Sequence, residues 1–300
     1  MTSLKYLIKR NSKLFFRDKG MFFTSLITPV ILLVLYATFL AKVYRDAFAG
    51  SMPNGFSVDK ALINGTVGGQ LLSSLLAVSC ITVAFCSNLL MVQDKMSGAA
   101  KDLKMTPVKN RNLAIGYFVS SAFVTLIICF TALACGLVYI AFTGWYFNFA
   151  DILLIMFDVV LLVLFGTALS SLINCNLSTN GQGSAVGTIV SSGYGFICGA
   201  YMPISNFPET LQKIISFLPG TYGTSLIRNH CLRGVFKEMG EQGISDRVLE
   251  SIKDSIDCNI YFFNNKVKLS YMYLILIGSV LLITVGYVFL GKIRINKQGE

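Results

Sequence analysis

The chain has 300 residues, a net charge of +10, 54% hydrophobic residues and only 13% charged residues. A soluble domain carries about 25% charged residues, so this composition argues against an ordinary soluble protein and for a membrane protein. Nucleic-acid binding is also disfavoured, because the positive charge forms no basic patch interleaved with aromatic residues on a soluble surface.

Six long apolar stretches contain none of the 25 Lys and Arg residues. Each has about 20 residues or more, the length that a helix needs to cross a hydrocarbon core about 30 Å thick. The sequence therefore predicts an all-α membrane protein, one transmembrane domain over residues 1–300 with six spanning helices. The predicted spans are Met21–Leu40, Ile63–Val92, Leu113–Phe142, Ile152–Ile173, Gly183–Met202 and Leu269–Gly291.

Residues 1–20 predict a basic amphipathic helix, which typically lies in the headgroup plane of a membrane. It either orients the chain or acts as a lateral strut against a cytoplasmic partner. Residues 21–202 hold spans one to five, 203–268 form an outer loop with short helices, 269–291 are the sixth span and 292–300 are the tail. Within the loop, helices at 209–218 and 221–236 lie beside the membrane or dip into it as a re-entrant hairpin, and 245–256 predict an exposed polar helix.

The distribution of Lys and Arg predicts the orientation, because cytoplasmic loops are enriched in these residues. The N-terminal segment, the loop after the second span and the tail are all basic. An even number of spans places all three on one side. We therefore predict a multi-pass protein of the plasma membrane, a bacterial cytoplasmic membrane, with both termini cytoplasmic.

The loop Gln93–Asn112 predicts a short polar helix from Asp94 to Met105 that contains Gly98 and is stopped by Pro107. It is too short and too polar to fold alone. It is either a solvated loop or a helix that docks on a partner.

The fifth span places small residues at every fourth position, which lets two helices approach closely. This ladder packs within the chain, forms a dimer seam or lines a central path. Its residues are Gly183, Gly187, Ser191, Gly195 and Gly199, and a second row has Ser184, Thr188 and Ser192. The candidates for contact with a hydrophobic compound are Phe85, Asn88, Ser191, Tyr194 and Phe196.

Asp158 is the only charged residue well inside a predicted span. An acid in the membrane is a functional candidate by default, but it can also serve as a hydrogen-bonding link to a neighbouring helix. Cys231 and Cys258 share the outer loop, where a disulfide is one possibility. The chain has no phosphate-binding loop of the G-x-x-x-x-G-K-[ST] type, and His230 is the only histidine, so we predict no metal site and no bound cofactor.

Three segments carry a family resemblance. They are Leu14–Gly20 running into a first span with Pro29, the loop that ends in Met105-Thr106-Pro107, and Pro203–Pro208 followed by Phe217-Leu218-Pro219. With these segments nearly the whole chain resembles the permease subunits of type-2 ATP-binding-cassette exporters. One departure is Gln93–Ala99, where the family often has Glu-Arg-Glu-x-Gly-Thr.

The resemblance implies two permease subunits, as a homodimer or heterodimer, above two copies of a separate P-loop ATPase that uses ATP and Mg. It implies that the second and fifth spans border the substrate path and that Gln93–Pro107 is the coupling helix. The coupling residues are then Asp94, Lys95, Gly98, Lys101, Asp102, Lys104, Met105, Thr106 and Pro107.

The function predicted is that of the transmembrane subunit of an exporter, possessing no enzymatic activity of its own. Its cargo is an amphiphilic or hydrophobic compound that is drug-like, lipid-like or peptidic. The alternatives are a polytopic membrane enzyme, for which no polar constellation at one depth is visible, and a passive channel, which normally has a filter or charged rings.

Overall fold

The computed structural model describes residues 2–35, 38, 42, 60–263 and 265–296. Most of residues 42–62, which connect the first two predicted spans, and the end of the tail lie outside these residues. The described fold is all-helical except for a short hairpin of β1 (Tyr261–Phe262) and β2 (Asn265–Lys266). Its helices are α1 (Thr2–Arg17), α2 (Lys19–Leu35), α3 (Lys60–Met96), α4 (Ala99–Met105), α5 (Asn110–Thr143), α6 (Phe149–Asn174), α7 (Asn180–Ile197), α8 (Glu209–Ile215), α9 (Pro219–Glu241), α10 (Asp246–Ser255) and α11 (Leu269–Asn296).

Each predicted span overlaps one of these helices, although the fifth predicted span extends five residues past the end of α7. Not all of these helices have the length and composition of a spanning helix. Among the described residues, α3, α5, α6 and α11 do. A fifth span results if α1 and α2, which are bent by 75° relative to each other, count as one broken span. The fifth predicted span, α7, falls short because it begins Asn-Gly-Gln and is rich in Gly, Ser and Thr.

Helix α3 is the centre of the bundle, since every residue from Gly65 to Phe85 is buried. Glycines allow its neighbours to come this close. A methyl group built on Gly69 would lie 2.8 Å from the carbonyl oxygen of Cys231 in α9. One built on Gly166 of α6 would lie 2.9 Å from the carbonyl oxygen of Cys80 in α3. Two backbones therefore approach α3 where no side chain fits.

Helix α9 is the largest difference from the sequence prediction, which placed a mixed helix in the outer loop. Pro219 starts it rather than breaking the chain, as proline does at the first position of a helix. It packs against α3, α6 and α11, and nearly all of it from Gly220 to Leu232 is buried. It runs antiparallel to α6, because Gly223 meets Leu162 and His230 meets Asp158.

Buried polar groups fix α9 in this position. The Arg228 side chain is fully buried, and its Nη2 and Nη1 atoms donate to the carbonyl oxygens of Gly199 (2.7 Å) and Ile256 (2.8 Å). Cys231 and Cys258 are buried free thiols rather than a disulfide. The predicted polar helix at 245–256 corresponds to α10, which is amphipathic rather than wholly exposed, since Leu249 and Ile252 are buried.

Candidate functional site

Helix α4 stands out from one end of the bundle, and none of its residues is buried. It begins after Gly98, whose φ of 84° is the left-handed conformation that glycine adopts without strain. Leu103 packs against the cluster of Leu7, Met91, Leu113 and Tyr117, and the Met105 side chain is 84% exposed. The predicted coupling residues on the exposed surface are Lys101, Asp102, Lys104, Met105, Thr106 and Pro107.

Asp94, at the end of α3 next to α4, does not share this surface. Its carboxylate is buried and accepts two hydrogen bonds from the Arg10 guanidinium of α1, at 2.6 and 3.1 Å. The Tyr117 hydroxyl of α5 donates a third at 2.5 Å. The bond to Asp94 raises the pKa of Arg10, so this side chain stays charged. Asp94 therefore ties three helices together instead of presenting its charge to a partner.

Lys95 also bonds within the chain. Its Nζ atom donates to the carbonyl oxygens of Asn174 (3.0 Å), Cys175 (2.8 Å) and Leu177 (2.9 Å). These groups form the C-terminal end of α6, where a cation is favoured by the helix dipole, and the turn that leads into α7. The base of α4 is thus attached to α1 by Asp94 and to the α6–α7 connection by Lys95.

A cleft of about 670 Å³ lies between α2, α3 and α7. Its wall combines apolar side chains with six Ser and Thr hydroxyls and the Tyr201 ring, and no charged side chain lines it among the described residues. Ser184, near the start of α7, gives one end of the cleft a hydroxyl, and Phe196, near the end of α7, gives the other end an aromatic ring. The lining residues are Thr24, Ile27, Thr28, Ile31, Leu32, Leu35, Cys86, Leu89, Ser184, Gly187, Thr188, Ser191, Ser192, Phe196 and Tyr201.

A family model described as ABC-2 type transporter matches residues 2–231. The chain belongs to the ABC-2 type transporter family. No curated protein matches it. The family comprises transmembrane components that lack an ATPase of their own, and membership implies association with an ATP-binding cassette subunit. The resemblance predicted from the sequence is thereby confirmed.

Two of the five predicted path residues of this transporter subunit, Ser191 and Phe196, line the cleft. Phe85 is buried in the core, and Asn88 donates to Ser170 Oγ (3.0 Å) and Ser171 Oγ (2.7 Å) of α6. Tyr194 packs between two core clusters. These three side chains therefore contribute to helix packing. The hydroxyls of α2 were missed, although their signal is a pair of threonines four residues apart in an apolar run, Thr24 and Thr28.

The glycine ladder of the transporter does not form one continuous surface. A side chain at Gly183 would meet Leu89 at 2.7 Å, and one at Gly195 would overlap the Tyr201 ring. Gly199 lies beyond α7 with a φ of 71° and lets the chain turn back. These three serve packing or turning within the subunit. Gly187 differs, because it lines the cleft and has nothing within 4 Å of a built methyl group.

Asp158 lies at the centre of a polar cluster in the N-terminal half of α6, away from the end of α6 that Lys95 contacts. Its carboxylate lies 2.5 Å from His230 Nδ1 of α9 and accepts a hydrogen bond of 2.5 Å from the Tyr273 hydroxyl of α11. One turn away, Arg233 lies 3.4 Å from Asp151. The sequence pointed to Asp158 but not to its partners. The available signal was a single histidine flanked by arginines in a mixed helix.

Proposed function

We propose that the chain is the permease subunit of an ATP-driven exporter of uncharged amphiphilic or hydrophobic compounds. The observation that carries this proposal is the cleft between α2, α3 and α7. Family membership supports transport with a separate ATPase, and the cleft supports the class of cargo. Drug-like, lipid-like and peptidic compounds share the required chemistry.

The lining of the cleft favours such a cargo over an inorganic ion. A bare ion in a low-dielectric site needs fixed compensating charge, whereas this wall offers hydroxyls and apolar side chains. Hydroxyls such as those of Thr28 and Thr188 both donate and accept hydrogen bonds. They therefore suit a compound that has a few polar groups on an apolar body.

We propose that the ATPase docks on the exposed surface of α4, around Asp102 and Met105. Movement of α4 would then reach α1 through the Arg10–Asp94 pair and α7 through the Lys95 contacts with the α6–α7 connection. Since α7 forms one wall of the cleft, this route connects the ATPase to the cargo. The chain itself binds no ATP or Mg in this scheme.

The proposed topology has six spans, α2, α3, α5, α6, α7 and α11, in the plasma membrane with both termini cytoplasmic. The basic N-terminus and α4 then face the cytoplasm. Helices α8 and α9 enter from the opposite side as a re-entrant hairpin. The family resemblance supports this arrangement, and the burial of α9 against α6 is compatible with it.

The proposed assembly has a second permease subunit facing the cleft, as a homodimer or heterodimer above two ATPase copies. The exposed apolar side chains of α2, which include Phe23, Ile27 and Val30, and the open space at Gly187 support a seam along α2 and α7. Two facing clefts would enclose a central path.

The test is transport by the reconstituted permease–ATPase complex. Thr188→Val and Phe196→Ala should lower cargo-stimulated ATP hydrolysis and leave basal hydrolysis unchanged. Thr131→Val is the matched control, because Thr131 makes the same bond to the carbonyl four residues earlier (2.8 Å, against 2.9 Å for Thr188) but lies outside the cleft. ATP hydrolysis by the isolated chain, or transport restricted to small inorganic ions, would overturn the proposal.

A further inference from the structure

A second concave site lies along one flank of α1, beside its buried face. It is a groove of about 510 Å³ between α1 and α5, lined by Leu4, Lys5, Ile8, Lys9, Ser12 and Phe123. Leu7, on the buried face of α1, packs near Gly116 and anchors the helix along α5. The contact between Leu7 and Gly116 therefore holds the two sides of the groove next to each other.

The groove has an apolar floor and a cationic rim. Phe123 supplies the floor and is 51% exposed, on the same helical face as the exposed residues Val119 and Ile127. Lys5 and Lys9 are one helical turn apart and exposed. Neither forms a salt bridge with any described residue, unlike Arg10, which binds Asp94.

Ser12 contributes to the wall of the groove. Ser12 lines the groove one turn after Lys9, and its Oγ atom is buried without a hydrogen-bond partner among the described residues. The exposed ammonium groups of Lys5 and Lys9 are therefore the polar groups that an anionic ligand in the groove can reach.

We propose that this groove binds an anionic phospholipid of the leaflet that contacts α1. The phosphate lies between Lys5 and Lys9, while an acyl chain covers Phe123 and continues along the exposed face of α5. A free phosphate fits less well, because it leaves the apolar floor uncovered. The site rests on the proposed orientation, with α1 at the cytoplasmic surface, but not on the identity of the cargo.

The site matters because α1 carries two attachments. Arg10 binds the base of α4 on one side, and the lipid binds the other side of the same helix. A bound lipid thereby holds α1 against α5 and keeps Arg10 aligned with Asp94. The leaflet composition would in this way influence how firmly the proposed coupling segment is held.

Lipid binding to the purified full chain tests the proposal. Native mass spectrometry and thermal stability are measured with phosphatidylglycerol, with phosphatidylcholine and with inorganic phosphate alone. We expect preferential retention of, and stabilisation by, phosphatidylglycerol only. Each lysine near an anionic lipid contributes a factor of about five to affinity, so Lys5→Gln with Lys9→Gln should weaken retention by about 25-fold.

Lys13→Gln is the control for nonspecific attraction, because Lys13 is an exposed lysine of α1 outside the groove. It should retain phosphatidylglycerol as the unmodified chain does, whereas Phe123→Ala should weaken retention. Equal losses for Lys13→Gln and Lys5→Gln would indicate diffuse surface charge and overturn the site. Equal binding of both lipids would also overturn it, as would a full effect of inorganic phosphate alone, which would indicate a free-phosphate site.

Discussion

Replacing either partner of the Arg10–Asp94 pair should uncouple the N-terminal helix from the base of α4. The pair has two hydrogen bonds, and the Asp94 and Arg10 side chains are 7% and 32% exposed. Removing one partner of a fully buried pair costs about 3–5 kcal/mol. Because Arg10 is partly solvated, we expect a smaller coupling free energy, about 2 kcal/mol.

A double-mutant cycle with Arg10→Gln and Asp94→Asn measures this quantity, using unfolding in mixed micelles. The same variants in the complex with the ATPase should transport less cargo per ATP hydrolysed. A parallel cycle with Arg17→Gln is the control, because Arg17 is exposed and forms no salt bridge with a described residue. A coupling free energy near zero for Arg10 and Asp94, or equal values in both cycles, would refute the reasoning.

Three further outcomes follow from close packing, buried hydrogen bonds and surface charge. Gly69→Ala should destabilise the subunit by about 1–3 kcal/mol through overpacking. The control is Gly278→Ala, which should be neutral or stabilising because Gly278 has open space around it. Similar thermal stabilities of the two variants would contradict the close approach of α3 and α9. Asp158→Ala should destabilise by about 2–4 kcal/mol because it leaves the buried His230 and the half-buried Tyr273 hydroxyl without their partner. Asp158→Asn should destabilise by less, and equal losses would show that hydrogen bonding is not the cause. Hydrogen bonds from Lys266 and Lys253 lower the pKa of Glu250 to about 2. The contribution of Glu250 to the free energy of unfolding is therefore present above pH 4.5 and lost as pH falls through 2. Since Glu250 is about half exposed, that contribution is below about 1 kcal/mol, and melting temperatures of Glu250→Gln and the parent chain should differ at pH 7 and converge near pH 2; a constant difference would contradict it.

The apolar stretches predicted most of the helices because a helix that crosses the hydrocarbon core needs about 20 predominantly apolar residues. The predicted third span, Leu113–Phe142, lies within α5 (Asn110–Thr143). The sequence predicted a helix at 221–236 but not its burial in the bundle, because Arg228 and His230 are typical of a loop outside the membrane. Their polar groups are satisfied by backbone and carboxylate partners from distant parts of the chain, which composition does not reveal.

The candidate site shows the same limit at the level of single side chains. The sequence singled out the row of small and hydroxyl residues in α7 but left its role open between packing, a dimer seam and a path, and the structure places Gly187 and Ser191 of that row at the cleft. It did not show which way α3 is rotated, so Asn88 was assigned to the path although it bonds to α6. A helix without a polar face carries no signal for its own rotation.

The fully buried guanidinium of Arg228 also constrains how the protein is made. An arginine is costly to release into lipid unless partners receive it, and its partners come from Gly199 and from Ile256, which is synthesised later. Tyr273, which completes the Asp158 cluster beside it, comes later still. In the proposed topology, helix α9 would therefore remain outside the hydrocarbon until these later segments have been synthesised, so we expect its docking among the last steps of biogenesis.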